Sequence, residues 1–226
     1  MFIDRFKSLR YLILSLPIVA LVAFSIDRNA ISSNIPEPKV GIAVSAAMDG
    51  KQTAILAGGC FWGVEAVFEH VKGVSEVVSG YSGGDEKTAN YDRVSSGKTD
   101  HAEAVRVVYD PTQISYAQLL KIYFSVAHNP TQINRQGPDK GPQYRSAIFF
   151  TNDEQRQIAA SYIAQLNQSK VFPKPIATQL ASLDTFYAAE PEHQDFLVHN
   201  PKHPYIVYHD LPKLEKLRKQ FPDLYQ

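Results

Sequence analysis

The sequence contains a single cysteine, Cys60, among its 226 residues. One cysteine excludes an internal disulfide and any metal site built from several cysteines. The seven histidines are scattered and lack the close pairing typical of metal ligands. The chain has no excess of charge either, because 23 basic residues face 23 acidic ones, which argues against a nucleic-acid-binding surface. We therefore expect no bound metal, no cofactor and no nucleic acid partner.

A hydrophobic run near the N-terminus differs from the rest of the sequence. Three basic residues within the first ten precede an uncharged stretch over residues 11–26, and a polar, proline-containing segment follows. As a helix the stretch would reach about 24 Å, less than the roughly 30 Å hydrocarbon core of a membrane. We predict a signal peptide or membrane anchor over residues 1–26, a linker over 27–50 and a folded domain over 51–226.

Two motifs in this N-terminal part match the small-x-small pattern of a signal peptidase site, Ala23-Phe24-Ser25 and Ala43-Val44-Ser45. The basic end is expected to stay in the cytoplasm, which would place the folded domain across the membrane. We predict an exported protein, periplasmic or otherwise extracytoplasmic. The alternative is a cytoplasmic protein anchored to the membrane.

The cysteine is followed two residues later by the only tryptophan, Trp62. A β-like run over 51–57 ends in two glycines, and apolar residues then recur at helical spacing, with Glu65 and Glu69 predicted to face away from them. Cys60 thus lies at a predicted helix N-terminus, where free N–H groups and the helix dipole favour a thiolate. This pattern indicates a nucleophile, and the alternative is a small buried hydrophobic residue.

A strand is predicted over residues 101–109, where Glu103 shares one face with Val105 and Val107. A carboxyl group held against apolar neighbours is desolvated, so its pKa rises and it can donate a proton in general acid catalysis. The alternative is a glutamate that reaches water or an arginine.

Strands and helices alternate along the rest of the chain, which predicts a single α/β domain. Ser115 with Gln118, and Thr151 with Glu154, are predicted to cap two of the helices. Further strands are predicted over 74–82, 146–151 and 176–183, and helices over 115–127, 151–170, 190–200 and 210–221. In the last helix the predicted apolar stripe is Leu211, Leu214 and Leu217, and the predicted solvated face is Lys213, Lys216, Arg218 and Lys219.

Two polar segments are predicted to be loops. Tyr91 lies in the first, which runs to Asp100. The second covers residues 128–143 and has Asp139 and Tyr144 at its far end. A loop of this length in a compact domain is usually functional or disordered, although each of these residues could also be an ordinary turn or surface residue.

Three function classes are compatible with a reactive Cys60. The first is a redox enzyme. The second is a cysteine hydrolase in which His101 or His193 activates the thiol. The third is a binding module that uses Phe61 and Trp62 to recognise methionine-containing segments.

Five motifs in one order decide among these classes. Over residues 53–199 the chain resembles the A-type peptide methionine sulfoxide reductases. The motifs that carry the resemblance are Gly59-Cys60-Phe61-Trp62-Gly63, Gly80-Tyr81-Ser82-Gly83-Gly84, His101-Ala102-Glu103-Ala104-Val105, Asn134-Arg135-Gln136-Gly137 and Gln143-Tyr144-Arg145-Ser146.

The resemblance implies an α/β (α+β) fold, a two-layer sandwich of a mixed sheet with helices, and a catalytic domain that repairs oxidised methionine. It also implies selectivity for the S epimer of methionine sulfoxide, reduced through a sulfenic acid on the cysteine. The implied roles are Cys60 as nucleophile, Glu103 as proton donor, Tyr91 and Tyr144 as donors to the sulfoxide oxygen, Phe61 and Trp62 around the S-methyl group, and Asp139 in the supporting polar shell.

The sequence departs from the family pattern at three points. Pro142 and Asp100 occupy positions where the family usually has threonine and glycine, and both flank the implied site. Many members also carry further cysteines that resolve the sulfenic acid, whereas this chain has none. Regeneration would therefore need an external thiol, such as thioredoxin, glutaredoxin or a small thiol. We expect a monomer.

Overall fold

The computed structural model describes residues 35–41 and 50–226. The predicted signal peptide or anchor and both predicted cleavage motifs lie outside these residues. In the part of the chain that is described, no helix combines the length and the apolar character needed to cross a membrane.

The described residues form strands and α-helices that alternate for most of the chain. The strands are β1 (Gln52–Gly58), β2 (Val74–Ser82), β3 (Ala102–Tyr109), β4 (Arg135–Gln136), β5 (Asp139–Lys140), β6 (Ser146–Phe150), β7 (Gln179–Ser182) and β8 (Phe186–Ala188). The α-helices are α1 (Phe61–Glu69), α2 (Tyr91–Ser95), α3 (Tyr116–Ile122), α4 (Asp153–Ser169), α5 (Phe196–His199) and α6 (Leu211–Gln220). Turns of 3₁₀-helix occur at Glu86–Thr88, Pro142–Tyr144 and Pro191–His193, and turns of π-helix at Tyr123–Ala127 and Ile206–Asp210.

Six of the strands form one mixed sheet in the order β7-β6-β1-β3-β2-β8. Only β6 and β7 pair in parallel, and the other neighbours in this sheet are antiparallel. The short strands β4 and β5 form a separate hairpin within the second predicted loop. The fold is therefore the predicted α/β sandwich, with the addition of β8, an edge strand that the sequence pattern did not predict.

The two faces of the sheet differ in what they bury. Leu56, Val105 and Val107 pack into a large core with the helices, whereas Ala102 and Ala104 line the other face in a small cluster. The alternation predicted for β3 is therefore confirmed. Glu103 lies on the face toward the large core, as its register predicts.

The helix caps were predicted with mixed success. At α3, Ser115 Oγ accepts the Gln118 N–H at 3.2 Å and Gln118 Oε1 accepts the Ser115 N–H at 2.9 Å, which confirms the capping box. At α4 the prediction of Thr151 is wrong, because the chain stays extended through Asn152. Asn152 Oδ1 accepts the Gln155 N–H at 2.8 Å and is the cap.

Three further local predictions are wrong. Glu65 is only 1% exposed, because it accepts the Ser79 N–H of β2 and the segment after β8 packs on α1 through Leu197. Tyr91 is the first residue of α2 rather than a loop residue, since Asn90 caps a short helix there. Lys213 is not on a solvated face: it forms an ion pair with buried Asp210, while Leu211 of the predicted apolar stripe is exposed.

Part of the predicted linker packs on the domain. Ile35 is buried, and the Tyr162 hydroxyl donates to the Pro36 carbonyl at 2.8 Å. Glu37 forms an ion pair with Lys121, and its carbonyl accepts from Gln165 at 2.7 Å. Residues 35–41 thus lie against α3 and α4.

Candidate active site

Cys60 lies where β1 ends and α1 begins. Gly59 turns the chain with φ of +92°, a conformation that side chains with a Cβ rarely adopt, and a Cβ there would also overlap Gln136. Cys60 is the N-cap residue of α1 and keeps 9% of its surface exposed. The sequence therefore fixes the cysteine at a helix N-terminus, as predicted.

Glu103 reaches this helix N-terminus from the neighbouring strand. Its Oε2 accepts the N–H of Phe61, the first residue of α1, at 3.1 Å. Glu103 is 2% exposed, and burial raises its pKa to about 8, although the Phe61 N–H acts in the opposite direction. At neutral pH the carboxyl group is mostly protonated, so it can donate a proton next to Cys60.

The charge state of Cys60 differs from the sequence expectation. Burial raises the pKa of its thiol well above the ordinary range, and the carboxyl groups of Glu103 and Asp210 raise it further. The Trp62 N–H and the Lys213 ammonium lower it, but they do not outweigh burial. The prediction of a resting thiolate is therefore wrong, because the helix terminus lies in a desolvated environment.

Two tyrosines lie beside this pair. Burial raises the pKa values of Tyr91 and Tyr144, and ionisation of Glu103 or Cys60 would raise them further. Both hydroxyl groups thus keep their protons and can donate hydrogen bonds. The charge of Asp139 also raises the pKa values of both tyrosines. The predicted polar residues therefore lie close to one another around Cys60.

Aromatic side chains form the apolar side of the site. The Trp62 ring stacks on Phe196 with centroids 3.6 Å apart and planes at 4°. Its Nε1–H donates to His193 Nδ1 at 3.4 Å, and the Tyr205 ring meets it edge-on at 5.9 Å. Phe61 is fully buried and packs on His193 at 5.6 Å. Trp62 is thus a partly exposed side chain held in place from several sides.

The sequence patterns missed several residues of the site. Tyr205 donates a short hydrogen bond to Asp139, and Glu190 accepts the Tyr91 N–H at 2.9 Å. The missed residues come from the segment after β8 and from the C-terminal segment, namely Glu190, Phe196, Tyr205, Asp210 and Lys213. For the segment after β8, the sequence offered one signal of a functional loop. It is the polar run Glu190-Pro191-Glu192-His193-Gln194, which follows a strand with alternating residues.

The two histidines considered for a hydrolase do not activate the thiol. His101 Nε2 bonds to the Asp85 carbonyl at 3.0 Å, and His193 accepts from Trp62. No hydrogen bond joins Cys60 to either histidine among the described residues. Those residues also contain no group of three histidine, cysteine, aspartate or glutamate side chains arranged to hold a metal ion.

Comparisons with known proteins agree with this geometry. Residues 52–225 match the family model described as peptide methionine sulfoxide reductase. The chain is 56% identical over 206 residues to peptide methionine sulfoxide reductase MsrA 2 of Synechocystis sp., covering 91% of this chain and 96% of that protein. It is 60% identical over 179 residues to the protein of the same name from Mesorhizobium japonicum, covering 79% and 92%.

Solved structures give the same result. Reduced Mxr1 of Saccharomyces cerevisiae superposes with a TM-score of 0.63 at 33% identity, covering 72% of this chain and 91% of that one. Methionine sulfoxide reductase A of Corynebacterium diphtheriae gives a TM-score of 0.60 at 34% identity, covering 74% and 84%. This chain therefore belongs to the peptide methionine sulfoxide reductase family, as an A-type enzyme that reduces methionine sulfoxide to methionine.

Proposed function

We propose that the protein reduces the S epimer of methionine sulfoxide, free or in proteins, with Cys60 as nucleophile and Glu103 as proton donor. The hydrogen bond from the Phe61 N–H to Glu103 carries this proposal, because it joins a protonated carboxyl group to the helix terminus that bears the cysteine. A buried acid with a pKa of about 8 is suited to give up a proton near neutral pH.

The reaction moves one oxygen atom. The Cys60 thiol loses its proton as its sulfur bonds to the sulfoxide sulfur, and Glu103 protonates the oxygen as negative charge develops on it. The hydroxyl group then passes to the Cys60 sulfur while the bonds from the sulfoxide sulfur to that oxygen and to Cys60 break, and the thiol proton replaces the one that Glu103 donated. Tyr91 and Tyr144 donate hydrogen bonds to the same oxygen in a water-poor site. The net change transfers the oxygen to Cys60, so methionine sulfoxide is reduced by two electrons while the thiol is oxidised to a sulfenic acid.

The arrangement also supports discrimination between epimers. Trp62 and the buried Phe61 provide an apolar side for the methyl group, and the acid and the two tyrosines provide a polar side for the oxygen. Exchanging the methyl group and the oxygen would leave polar groups unpaired, which a buried site strongly disfavours. Asp139, bound by Tyr205, supports the polar side.

A single-turnover assay tests the proposal. The reduced protein is incubated with an S-sulfoxide or an R-sulfoxide peptide without reductant, and the methionine formed per protein is counted by mass spectrometry. We expect about one methionine per Cys60 from the S epimer, no methionine from the R epimer, and a sulfenic acid on Cys60. Folded, reduced protein that forms no methionine from the S epimer would contradict the proposal.

An external thiol completes the cycle in our proposal. The chain has one cysteine, so no internal thiol can attack the sulfenic acid. An external thiolate would form a mixed disulfide with Cys60, and a second thiol would release it. Comparing multiple-turnover rates with thioredoxin, glutaredoxin and a small thiol identifies the preferred donor. If none of the three supports multiple turnover, this route is refuted.

We also propose that the protein works outside the cytosol. The basic residues and the apolar run over residues 1–26 support export or anchoring. Fractionation of the full chain, followed by determination of its N-terminal residue, tests the proposal. Untruncated protein found only in the soluble cytosolic fraction would contradict it.

A further inference from the structure

A buried ion pair from the C-terminal segment packs against the first turn of α1. Asp210 ends the π-helical turn before α6, Lys213 lies in the first turn of α6, and their side chains meet with Oδ1 and Nζ 3.1 Å apart. The Asp210 side chain has no exposed surface and that of Lys213 is 19% exposed. In the other lysine–carboxylate pair of the described residues, Lys121 with Glu37, the carboxylate is 70% exposed, so the buried carboxylate is what distinguishes the Asp210 pair.

Gly63 explains how the pair comes so close to the cysteine. Gly63 lies three residues after Cys60, and a Cβ atom at this position would overlap both Asp210 Oδ1 and Lys213 Nζ. Because glycine has no side chain, the two charged groups can lie directly on the backbone of the catalytic helix. The second oxygen of Asp210, Oδ2, is buried and has no hydrogen-bond partner among the described residues.

We propose that Asp210 and Lys213 are positioning residues that set the reactivity of Cys60, with Asp210 holding the Lys213 ammonium against the first turn of α1. The inference rests on the proposed role of Cys60 as nucleophile. Lys213 stabilises negative charge on the Cys60 sulfur, and Asp210 opposes it while fixing the place of the ammonium group. Both residues act through the electrostatic environment of Cys60 and take no part in bond making.

Other charged and titratable groups also surround the cysteine. Glu103 faces it from β3, and ionisation of Cys60 would raise the pKa values of the nearby tyrosines Tyr91, Tyr144 and Tyr205. His209 lowers the pKa of Asp210, and Asp139 raises it. The groups that every variant must leave in place are therefore Glu103, Tyr91, Tyr144, Tyr205, Asp139 and His209. A matched substitution in the ion pair changes one charge and keeps these groups.

The test measures the rate of Cys60 alkylation by iodoacetamide from pH 6 to 10. Lys213→Met should slow alkylation at pH 8 by about tenfold, equivalent to a rise of one pKa unit. Asp210→Asn removes the negative charge but keeps an amide oxygen that can accept the Lys213 hydrogen bond, so it should accelerate alkylation by a similar factor. Lys213→Arg should restore a rate close to that of the unaltered protein. Lys219→Met, on the exposed side of the same helix, removes the same charge and should leave the rate unchanged.

Opposite changes in the two variants would support the proposal, because loss of packing alone would move both rates in the same direction. Equal rates in Lys213→Met and Lys213→Arg, with both proteins folded by circular dichroism, would overturn it. This comparison decides the question even if Asp210→Asn fails to fold. Alkylation involves no sulfoxide, so the outcome is separate from the single-turnover assay that tests the proposed function.

Discussion

Two buried carboxyl groups lie at the first and second turns of α1, and their surroundings differ. At the N-terminal end, Glu103 of β3 accepts the Phe61 N–H beside the buried Cys60. In the second turn, Glu65 accepts the Ser79 N–H at 3.2 Å, and Gln194 accepts the same N–H at 2.9 Å. Burial raises the pKa of Glu103 to about 8 and that of Glu65 to about 7.

This difference shows that a raised pKa does not by itself identify a catalytic acid. At pH 7 Glu103 is mostly protonated and Glu65 is about half protonated, because the interior disfavours their charged forms. Of the two, only Glu103 lies next to a nucleophile and two hydroxyl donors. Glu65 instead joins the helix to β2 and to the segment after β8, so its proton has no acceptor in the reaction.

The largest effect is expected from removing the nucleophile. Cys60→Ser should abolish methionine formation, because a serine hydroxyl cannot be oxidised to the sulfenic acid level. The single-turnover assay with the S-sulfoxide measures this. Residual methionine above background, in protein shown to be free of unaltered chain, would exclude Cys60 as the reacting group.

Glu103→Gln comes next. The amide keeps the shape of the side chain but cannot transfer a proton, so single-turnover reduction should slow by about 10²–10⁴-fold. Rapid quenching at pH 7 measures the rate. A rate equal to that of the unaltered protein would assign proton donation to another group.

The tyrosines should contribute less. Tyr144→Phe or Tyr91→Phe removes one hydrogen bond to the developing negative charge, a loss of about 1.5–3 kcal/mol, which corresponds to roughly 10–150-fold in rate. Single-turnover rates of the two variants and of the double variant measure this. Unchanged rates in all three would remove both hydroxyl groups from the proposed mechanism.

Glu65→Gln is the matched control for Glu103→Gln. It also replaces a buried carboxyl group beside α1 by an amide, but we expect a rate change of less than about tenfold, or about 1.4 kcal/mol. A loss as large as that of Glu103→Gln would show that the two buried carboxyl groups are not distinct in function.

The same variant should change how stability depends on pH. The folded pKa of Glu65, about 7, lies above its ordinary value of 4.5, so the folded state binds the proton more tightly than the unfolded state. Stability is therefore full below about pH 4.5 and falls as the pH rises to about 7. Glu65→Gln removes this loss, and its free energy of unfolding relative to the unaltered protein should rise by up to about 3 kcal/mol between pH 5 and pH 8. Urea denaturation at both pH values measures the difference, and an equal difference at both would contradict the raised pKa.

Local sequence patterns correctly predicted the position or burial of residues whose environment is set by their own strand or helix. The position of Cys60 follows from a strand, two glycines and an apolar helical repeat, and the burial of Glu103 follows from alternation with valines. The predicted exposure of Glu65 is wrong because its environment is set by a distant segment of the chain. Its helical position indicated an outward side chain, but residues more than a hundred positions later cover it.

The sequence by itself determined the family, the α/β architecture and the placement of Cys60 and Glu103, because motifs and periodicity act over a few residues. Only the tertiary structure decided the charge state of Cys60, since desolvation depends on what covers the helix terminus. It also brought Tyr205, Asp210 and Lys213 to the site from the C-terminal segment, where no local pattern distinguished them from surface residues. Contacts between distant segments carry no periodic signal, and they set the electrostatics on which the chemistry depends.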